Sequence, residues 1–416
     1  MLVLVPQSLC DSPYGNDKHA LKIVSRIVCD QIEECRDFRS SFNLKGKPSD
    51  PAHIFTGWRN LDSFALKSIA SGYHPICMNL ERDGFIQKNP HYSNFPEKSF
   101  PYSYRLHPNC WADRLTLCRV RQRLSKKTFH CDVGKGGGAL NEQYLAAERN
   151  LEAFSLPEDL AAQLDAICEL SSWPDLQRQN VARLYQASWW SKVDSFGRYH
   201  TPLTNLSKGI RNCLRCNGRE IVGLDFANFQ PALLVLLSNA GFPERERETY
   251  FTLCKKGQIY EYMADRCPHY SSRKKAKMGL LSMLNMKNVV MREMPIFSAF
   301  EESFPTYAHL IQQIKKDDHR DMARFLQNTE AKIMFGGVVR SFRTKSDAPF
   351  FTVHDAIYTT RPEEPLMRSI LQEVIDLWGI PTMVEEEIHP SPLIPSPINV
   401  GMNRDSSGLL HPSGLM

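Results

Sequence analysis

Two aspartates of this chain each stand at the end of an apolar, strand-like run. Asp225 follows a run that begins at Ile221, and the segment 231–241 after it has the proline and glycine positions of a buried helix. Asp355 interrupts the apolar run 350–360, which predicts a hairpin turn at this point. Carboxylates on two neighbouring strands can share a pair of divalent cations, which activate an attacking oxygen and stabilise a leaving oxygen. The sequence therefore predicts an α+β fold with an acidic two-metal site.

A basic helix is predicted between the two aspartates. Residues 271–285 favour a helix, and Arg273 and Lys277 are four positions apart, so they share one face of it. Such a face suits a triphosphate. Taken alone, the two cations would more often mark a solvated surface, and Asp225 alone would more often cap the helix that follows it.

Five segments, in the same order, resemble the motifs of the family A DNA polymerases, which share their palm domain with the single-subunit phage RNA polymerases. The spacing from the first aspartate to the basic helix is close to the family's usual value. The spacing from that helix to the second aspartate is shorter, which indicates that part of the fingers domain is trimmed. The resemblance covers residues 196–388 and is carried by Gly197-Arg198, Asp225, Arg273 with Lys277, Gln327, and His354-Asp355.

The resemblance implies a role for the charged residues. Asp225 and Asp355 would hold two Mg²⁺ ions, and Phe226, beside the first aspartate, also belongs to the implied metal site. Arg273 and Lys277 would bind the triphosphate of a nucleotide, and Lys277 would protonate the departing pyrophosphate. The implied partners are therefore nucleoside triphosphates and a DNA or RNA primer–template.

Further residues are implied in contacts with the duplex and in the nucleotide pocket. His354 is expected to position the primer end and not to act as a base. The residues implied in nucleic-acid binding are Arg198, Arg211, Gln327 and His354, and those implied around the sugar and base are Gln230, Leu281 and Asn285.

The chain departs from the family pattern in the nucleotide pocket. Gln230 stands where DNA polymerases of this family have a glutamate that crowds the sugar 2′ position, and Ala356 replaces the glutamate after the second aspartate. Leu281 and Asn285 replace an aromatic residue and a tyrosine. Polymerase chemistry is therefore better supported than a deoxynucleotide preference, and we expect loose discrimination against ribonucleotides.

The resemblance also implies a domain organisation, that of a right-hand polymerase core with an antiparallel palm sheet, helical fingers and a small helical thumb. Apolar residues at near-helical intervals between Leu145 and Leu170 would supply the thumb. The expected boundaries are an unassigned N-terminal region at 1–140, thumb at 141–195, palm at 196–240 and 336–388, fingers at 241–335 and a disordered tail at 389–416.

The composition agrees with a globular protein that has two or three lobes, since 42% of its 416 residues are apolar. The net charge of +5 is small, but positive charge is clustered at 119–127, 255–256 and 273–277. Twelve cysteines without a signal peptide or a membrane span predict a reducing, cytoplasmic setting. The pair Cys213 and Cys216 lacks a second pair at zinc-finger spacing, so we interpret it as incidental.

Three alternative functions remain open on the sequence. An RNA polymerase or a primase would use the same site, and the sequence does not separate either from a DNA polymerase. A non-catalytic nucleic-acid-binding replication module could keep the palm shape, although it would have no reason to retain clustered carboxylates. A metal phosphohydrolase could also use His354 and Asp355, but the chain shows no convincing set of further His and Asp ligands.

Overall fold

The computed structural model describes residues 2–41, 52–61, 63–89, 94–95, 98–99, 102–120, 128–132, 140–171, 173–185, 188–238 and 241–387. Helices and mainly antiparallel strands make up this part of the chain, which confirms a mixed α and β fold. The expected tail at 389–416, the glycine run at 134–138 and most of the basic cluster at 119–127 lie outside the described residues.

The region before residue 133 is built on an antiparallel strand pair, β1 with β7, against which the long helix α2 packs. All five residues of β1 are buried. The elements are β1 (Leu2–Pro6), α1 (Gln7–Cys10), α2 (Lys18–Ser41), α3 (Ala52–Phe55), β2 (Arg59–Asn60), α4 (Ser63–Ile69), α5 (Tyr73–Arg82), β3 (Ile86–Lys88), β4 (Asn94–Phe95), β5 (Lys98–Ser99), β6 (Ser103–Leu106), β7 (Leu115–Arg119) and β8 (Thr128–Asp132).

The middle of the chain alternates short helices with strands. The strand β10 pairs in parallel with β8 and antiparallel with β11, so it joins this segment to the preceding region. The elements are α6 (Asn141–Asn150), β9 (Phe154–Ser155), α7 (Ala161–Glu169), α8 (Pro174–Arg183), β10 (Ser188–Val193), β11 (Tyr199–His200), α9 (Lys208–Arg211), β12 (Arg215–Cys216), β13 (Arg219–Phe226) and α10 (Phe229–Leu233).

A helical segment follows, and the C-terminal part returns to the sheet. The helices are α11 (Glu244–Lys255), α12 (Ile259–Arg266), α13 (Arg273–Asn285), α14 (Asn288–Arg292), α15 (Pro295–Ser303), α16 (Pro305–Ile314), α17 (Asp321–Ala331), a π-helix (Lys332–Val339) and α18 (Arg340–Lys345). The last elements are β14 (Phe351–Val353), β15 (Ala356–Thr360), α19 (Glu364–Trp378) and β16 (Val384–Glu386).

A six-stranded antiparallel sheet carries the two aspartates. The strand order is β14-β15-β13-β12-β9. The strand β15 pairs with residues 221–224 of β13, and β16 pairs with residues 224–226 at the end of β13. One face packs on the N-terminal half through Tyr358, Val353 and Ala356. The opposite face packs on the helices through Val222 and Leu224. The side chains alternate between the faces because successive residues of a strand point in opposite directions.

Two local predictions are confirmed and one is corrected. The helix over 271–285 and the hairpin at 350–360 both form. The helix expected over 231–241 is shorter and begins at Phe229, and a 3₁₀ turn ends it at Leu237. Its Pro231 carbonyl accepts a hydrogen bond from the Tyr250 hydroxyl at 3.0 Å, a partner outside the helix.

The segment 141–195, expected to supply a small helical thumb, contains strands as well as helices. Its helical pattern is broken by β9, which pairs with β12 and so joins the main sheet. Helices α7 and α8 pack on the β1–β7 pair. Leu145 and Leu170, both included in the apolar pattern, are exposed. The segment therefore shares a core with the N-terminal region.

Gly223 lies opposite Tyr358 in the β13–β15 pair, and a Cβ atom on it would be 2.5 Å from the tyrosine ring. The ring is fixed because it stacks on Phe351 at 4.4 Å and its hydroxyl accepts a hydrogen bond from Arg211 at 2.7 Å. We expect Gly223→Ala to lower the free energy of unfolding by about 1–3 kcal/mol through overpacking, measured by urea denaturation. Gly72→Ala is the control, because a Cβ there meets nothing within 4 Å. Equal stability of the two variants would contradict the close contact.

Candidate active site

The sheet brings the two predicted aspartates together. Leu224 of β13 pairs with Ile357 of β15. Asp225 comes directly after Leu224 and Asp355 comes two residues before Ile357, so both aspartates lie at the same end of this antiparallel pair. His354 and Asp355 form the turn between β14 and β15, and His354 has a positive φ of 57°. Histidine is one of the non-glycine residues that adopt this conformation more often than most.

Both carboxylates occupy an environment that disfavours their charge. Burial raises the pKa of Asp225 well above its usual value, and the nearby charges of Asp355 and Glu387 raise it further. Burial and the charge of Glu330 raise the pKa of Asp355 to about 7. The Oδ1 atom of Asp225 is buried and has no hydrogen-bond partner. Repulsion and burial of this kind are relieved when a cation binds.

Lys277 is the cation that acts on both aspartates. Its charge lowers the pKa of Asp225 and that of Asp355, so the basic helix α13 faces the acidic strand ends as the sequence predicts. Lys208 also lowers the pKa of Asp225, and Arg198 that of Asp355. Positive charges from three separate segments therefore surround the carboxylate pair.

The two cations of α13 lie on the ring of Tyr260, a residue that the sequence analysis does not identify. The guanidinium carbon of Arg273 is 5.4 Å from the ring centroid and Nζ of Lys277 is 6.0 Å from it. Arg273 also donates a hydrogen bond to Glu261 at 2.5 Å. Both contacts come from α12, so packing of α12 on α13 fixes the direction of the basic face.

Arg198, predicted to contact nucleic acid, is bound to a carboxylate within the protein. Its Nε and Nη2 atoms donate to the two oxygens of Glu330, both at 2.9 Å. Glu330 is almost fully buried on α17, and the nearby Gln230 side chain lowers its pKa. The three side chains form one polar group beside the aspartates.

His354 lies among cations and is held in its neutral form. Burial lowers its pKa to about 4, and the charges of Arg198, His200 and Arg211 act in the same direction. The His200 ring packs edge-on against it at 6.0 Å and is itself hydrogen-bonded to Asp194 at 2.9 Å. The Nδ1 atom of His354 is buried and has no hydrogen-bond partner.

Arg211 differs from the prediction that it contacts nucleic acid, because the structure places it inside the protein. It is 6% exposed, and its guanidinium donates to the Tyr358 hydroxyl at 2.7 Å, the Leu206 carbonyl and Glu387. These bonds connect the main sheet to the segment before it. Arg211 therefore stabilises the packing next to the site from inside the protein.

The remaining predicted residues differ in their exposure. Gln327 and Leu281 are partly buried on α17 and α13, and Asn285 is exposed at the end of α13, where it donates to the Leu281 carbonyl at 2.7 Å. The Phe226 side chain is buried and stacks on Phe229 at 4.6 Å. Its backbone oxygen is the only donor that Phe226 can offer to a metal.

The residues of the site fit a divalent cation of the magnesium type. Two carboxylates converge, one of them with an unpartnered buried oxygen, and oxygen ligands are those that Mg²⁺ prefers. Within the described ranges, no group of three or more His, Cys, Asp or Glu side chains is arranged as a complete metal site. Mg²⁺ commonly completes its shell with waters and substrate phosphates, so two protein carboxylates are a sufficient anchor.

The simpler interpretation of Asp225 as a helix cap is wrong for this structure. The N-cap of α10 is Asn228, with a left-handed φ of 40° and no capping hydrogen bond from its side chain. Asp225 lies three residues earlier, still in the strand.

Comparison with protein-family models and with curated protein sequences finds no match to this chain. Among the described residues, no helix is both long enough and apolar enough to cross a membrane.

Asp355→Asn should raise the melting temperature at about pH 8 and change it little near pH 4. A carboxyl whose pKa is raised to about 7 on folding stabilises the folded state most below its unfolded value of 3.8. This contribution is lost as the pH rises through 7, and asparagine has no such loss. Thermal unfolding across this pH range measures the difference. Mg²⁺ should stabilise the wild type at the higher pH and not the variant, and the opposite result would contradict the metal assignment.

Proposed function

We propose that this protein is a template-directed nucleotidyltransferase, which extends a 3′-hydroxyl with nucleoside triphosphates and releases pyrophosphate. The observation that carries the proposal is the meeting of Asp225, Asp355 and Lys277 from three distant segments of the chain. The order of the sequence motifs supports the same chemistry. On this proposal the main sheet corresponds to the palm of a right-hand polymerase and the helices 244–331 to its fingers.

The two aspartates would hold a pair of Mg²⁺ ions, with the Phe226 backbone oxygen beside them. Bound Mg²⁺ would activate the attacking 3′-oxygen and neutralise charge on the leaving phosphates. The raised pKa of both carboxylates supports this role, because a cation between them removes the repulsion that disfavours their charged forms.

The basic face of α13 would bind the triphosphate. Lys277 lies within the field of both aspartates, so a phosphate bridging the metals would also reach its ammonium group. Lys277 would neutralise charge that develops on the leaving group and give it a proton. Arg273 would bind the outer phosphates in exchange for part of its contact with Glu261.

The nucleic acid and the nucleotide base would occupy the remaining sides of the site. Arg198, Gln327 and neutral His354 would contact the duplex and the primer end. Gln230, Leu281 and Asn285 would line the sugar and base pocket. Gln230 lacks the charge of the glutamate that excludes ribonucleotides in related DNA polymerases, so RNA synthesis or priming is the second candidate function.

Asp225→Asn or Asp355→Asn should abolish extension of a labelled primer on a template, with Mg²⁺ and either dNTPs or rNTPs in separate reactions. Each change removes a charged metal ligand without changing the side-chain volume, so the loss should appear in kcat more than in KM. Circular dichroism checks that the variants fold. Extension near the wild-type rate by either variant would overturn the two-metal assignment.

Lys277→Ala should slow extension by roughly 100-fold, comparable with the loss of one preorganised donor to a developing charge. Both KM for the nucleotide and kcat should change, because the ammonium group binds the triphosphate before and during reaction. Lys275→Ala is the matched control, since Lys275 is exposed on the same helix and points away from the Lys277 face. Equal activity of the two variants would show that α13 is a solvated surface.

A further inference from the structure

Glu330 is a buried carboxylate that connects three segments of the chain at the candidate active site. It lies on α17, is 2% exposed, and accepts both hydrogen bonds of a fork-like pair from Arg198 at 2.9 Å. Arg198 belongs to the turn between β10 and β11. Gln230, which lowers the pKa of Glu330, lies on α10 directly after the aspartate strand.

The backbone of the Arg198 turn is fixed by other contacts. The Asp194 carboxylate accepts from the backbone N–H groups of Phe196 and Arg198 at 2.9 and 3.0 Å. The Tyr144 hydroxyl donates to the Gly197 carbonyl at 2.7 Å. Gly197 has a φ of 82° and approaches Ala331 so closely that a Cβ on it would be 3.2 Å from the alanine methyl group. Glu330 therefore determines the direction of the Arg198 side chain and not the position of the turn.

A carboxylate in this position is costly unless it is paired. Burial raises the pKa of Glu330, whereas Arg198 and Gln230 lower it. The charge of Glu330 raises the pKa of Asp355, and the charge of Asp225 raises the pKa of Glu330. Removing Arg198 would leave the buried Glu330 charge uncompensated, so the loss of this partner should be strongly destabilising.

We propose that Glu330 is a positioning residue, which holds the Arg198 guanidinium in a fixed direction beside the two aspartates. This role rests on the proposed nucleotidyltransferase function. Position 230 is a glutamine where the family pattern has a glutamate. A carboxylate is nevertheless present at the site, because α17 contributes Glu330.

The test is a charge relocation between the two positions. Glu330→Gln removes the charge, Gln230→Glu adds a second carboxylate, and the double variant moves the charge across the contact. We expect each single variant to lower kcat/KM for extension, by up to about 100-fold for a misplaced group, and the double variant to recover part of the loss.

Thermal unfolding of the same four proteins separates the inference from the proposed function. Each single variant should lower the melting temperature, and the double variant should lie above the sum of the two losses, which shows coupling. Glu33→Gln is the control, because it breaks the Arg183–Glu33 ion pair far from the site and should leave the nucleotide KM unchanged. A wild type that extends primers together with a Glu330→Gln variant of wild-type rate would overturn the positioning role alone. Absence of extension by the wild type would overturn the function, and absence of coupling in unfolding would overturn the contact itself.

Discussion

Electrostatic repulsion between Asp225 and Asp355 is the constraint on which the arrangement of the candidate site depends. The sheet places both carboxylates at one end of a strand pair, and burial disfavours the charge of each. The compensating cations come from α13, α9 and the β10–β11 turn. Since these segments are far apart in the chain, the charge balance exists only in the folded protein. Folding and assembly of the site are therefore the same event.

The parts of this arrangement that the sequence predicts are those encoded by short-range patterns. The strand before Asp225 and the hairpin around His354 are marked by apolar runs and a polar interruption, and both form. The α13 helix is marked by helix-forming residues, with Arg273 and Lys277 four positions apart, and this spacing places both on the ring of Tyr260. Local patterns are sufficient in these cases because an apolar run with a polar interruption and a four-residue spacing of charges are both short-range signals.

The parts that the sequence does not predict depend on distant contacts. Glu330 pairs with Arg198 across 132 positions, and Glu387 contacts Arg211 across 176, so neither contact has a local pattern. The strand β9 within the segment 141–195 was not predicted, because apolar spacing alone does not show that these residues pair with β12 in a sheet. Arg211 shows the same limit. Its charge suggests a surface ligand, whereas its guanidinium is used to bond the sheet to the segment before it.

The π-helix Lys332–Val339 determines how the side chains at the site are rotated about the helix axis relative to those that pack on α19. Its hydrogen bonds span five residues, so more residues fit in each turn than in α17 before it or α18 after it. The side chains of α18 are consequently rotated about the helix axis from the directions they would have if the 3.6-residue repeat of α17 continued. Glu330 is directed to Arg198 at one end, while Gly337 lies against Val374 of α19 within the widened segment, with room for no side chain between them. A regular α-helix over the same residues would rotate one of these faces away from its partner.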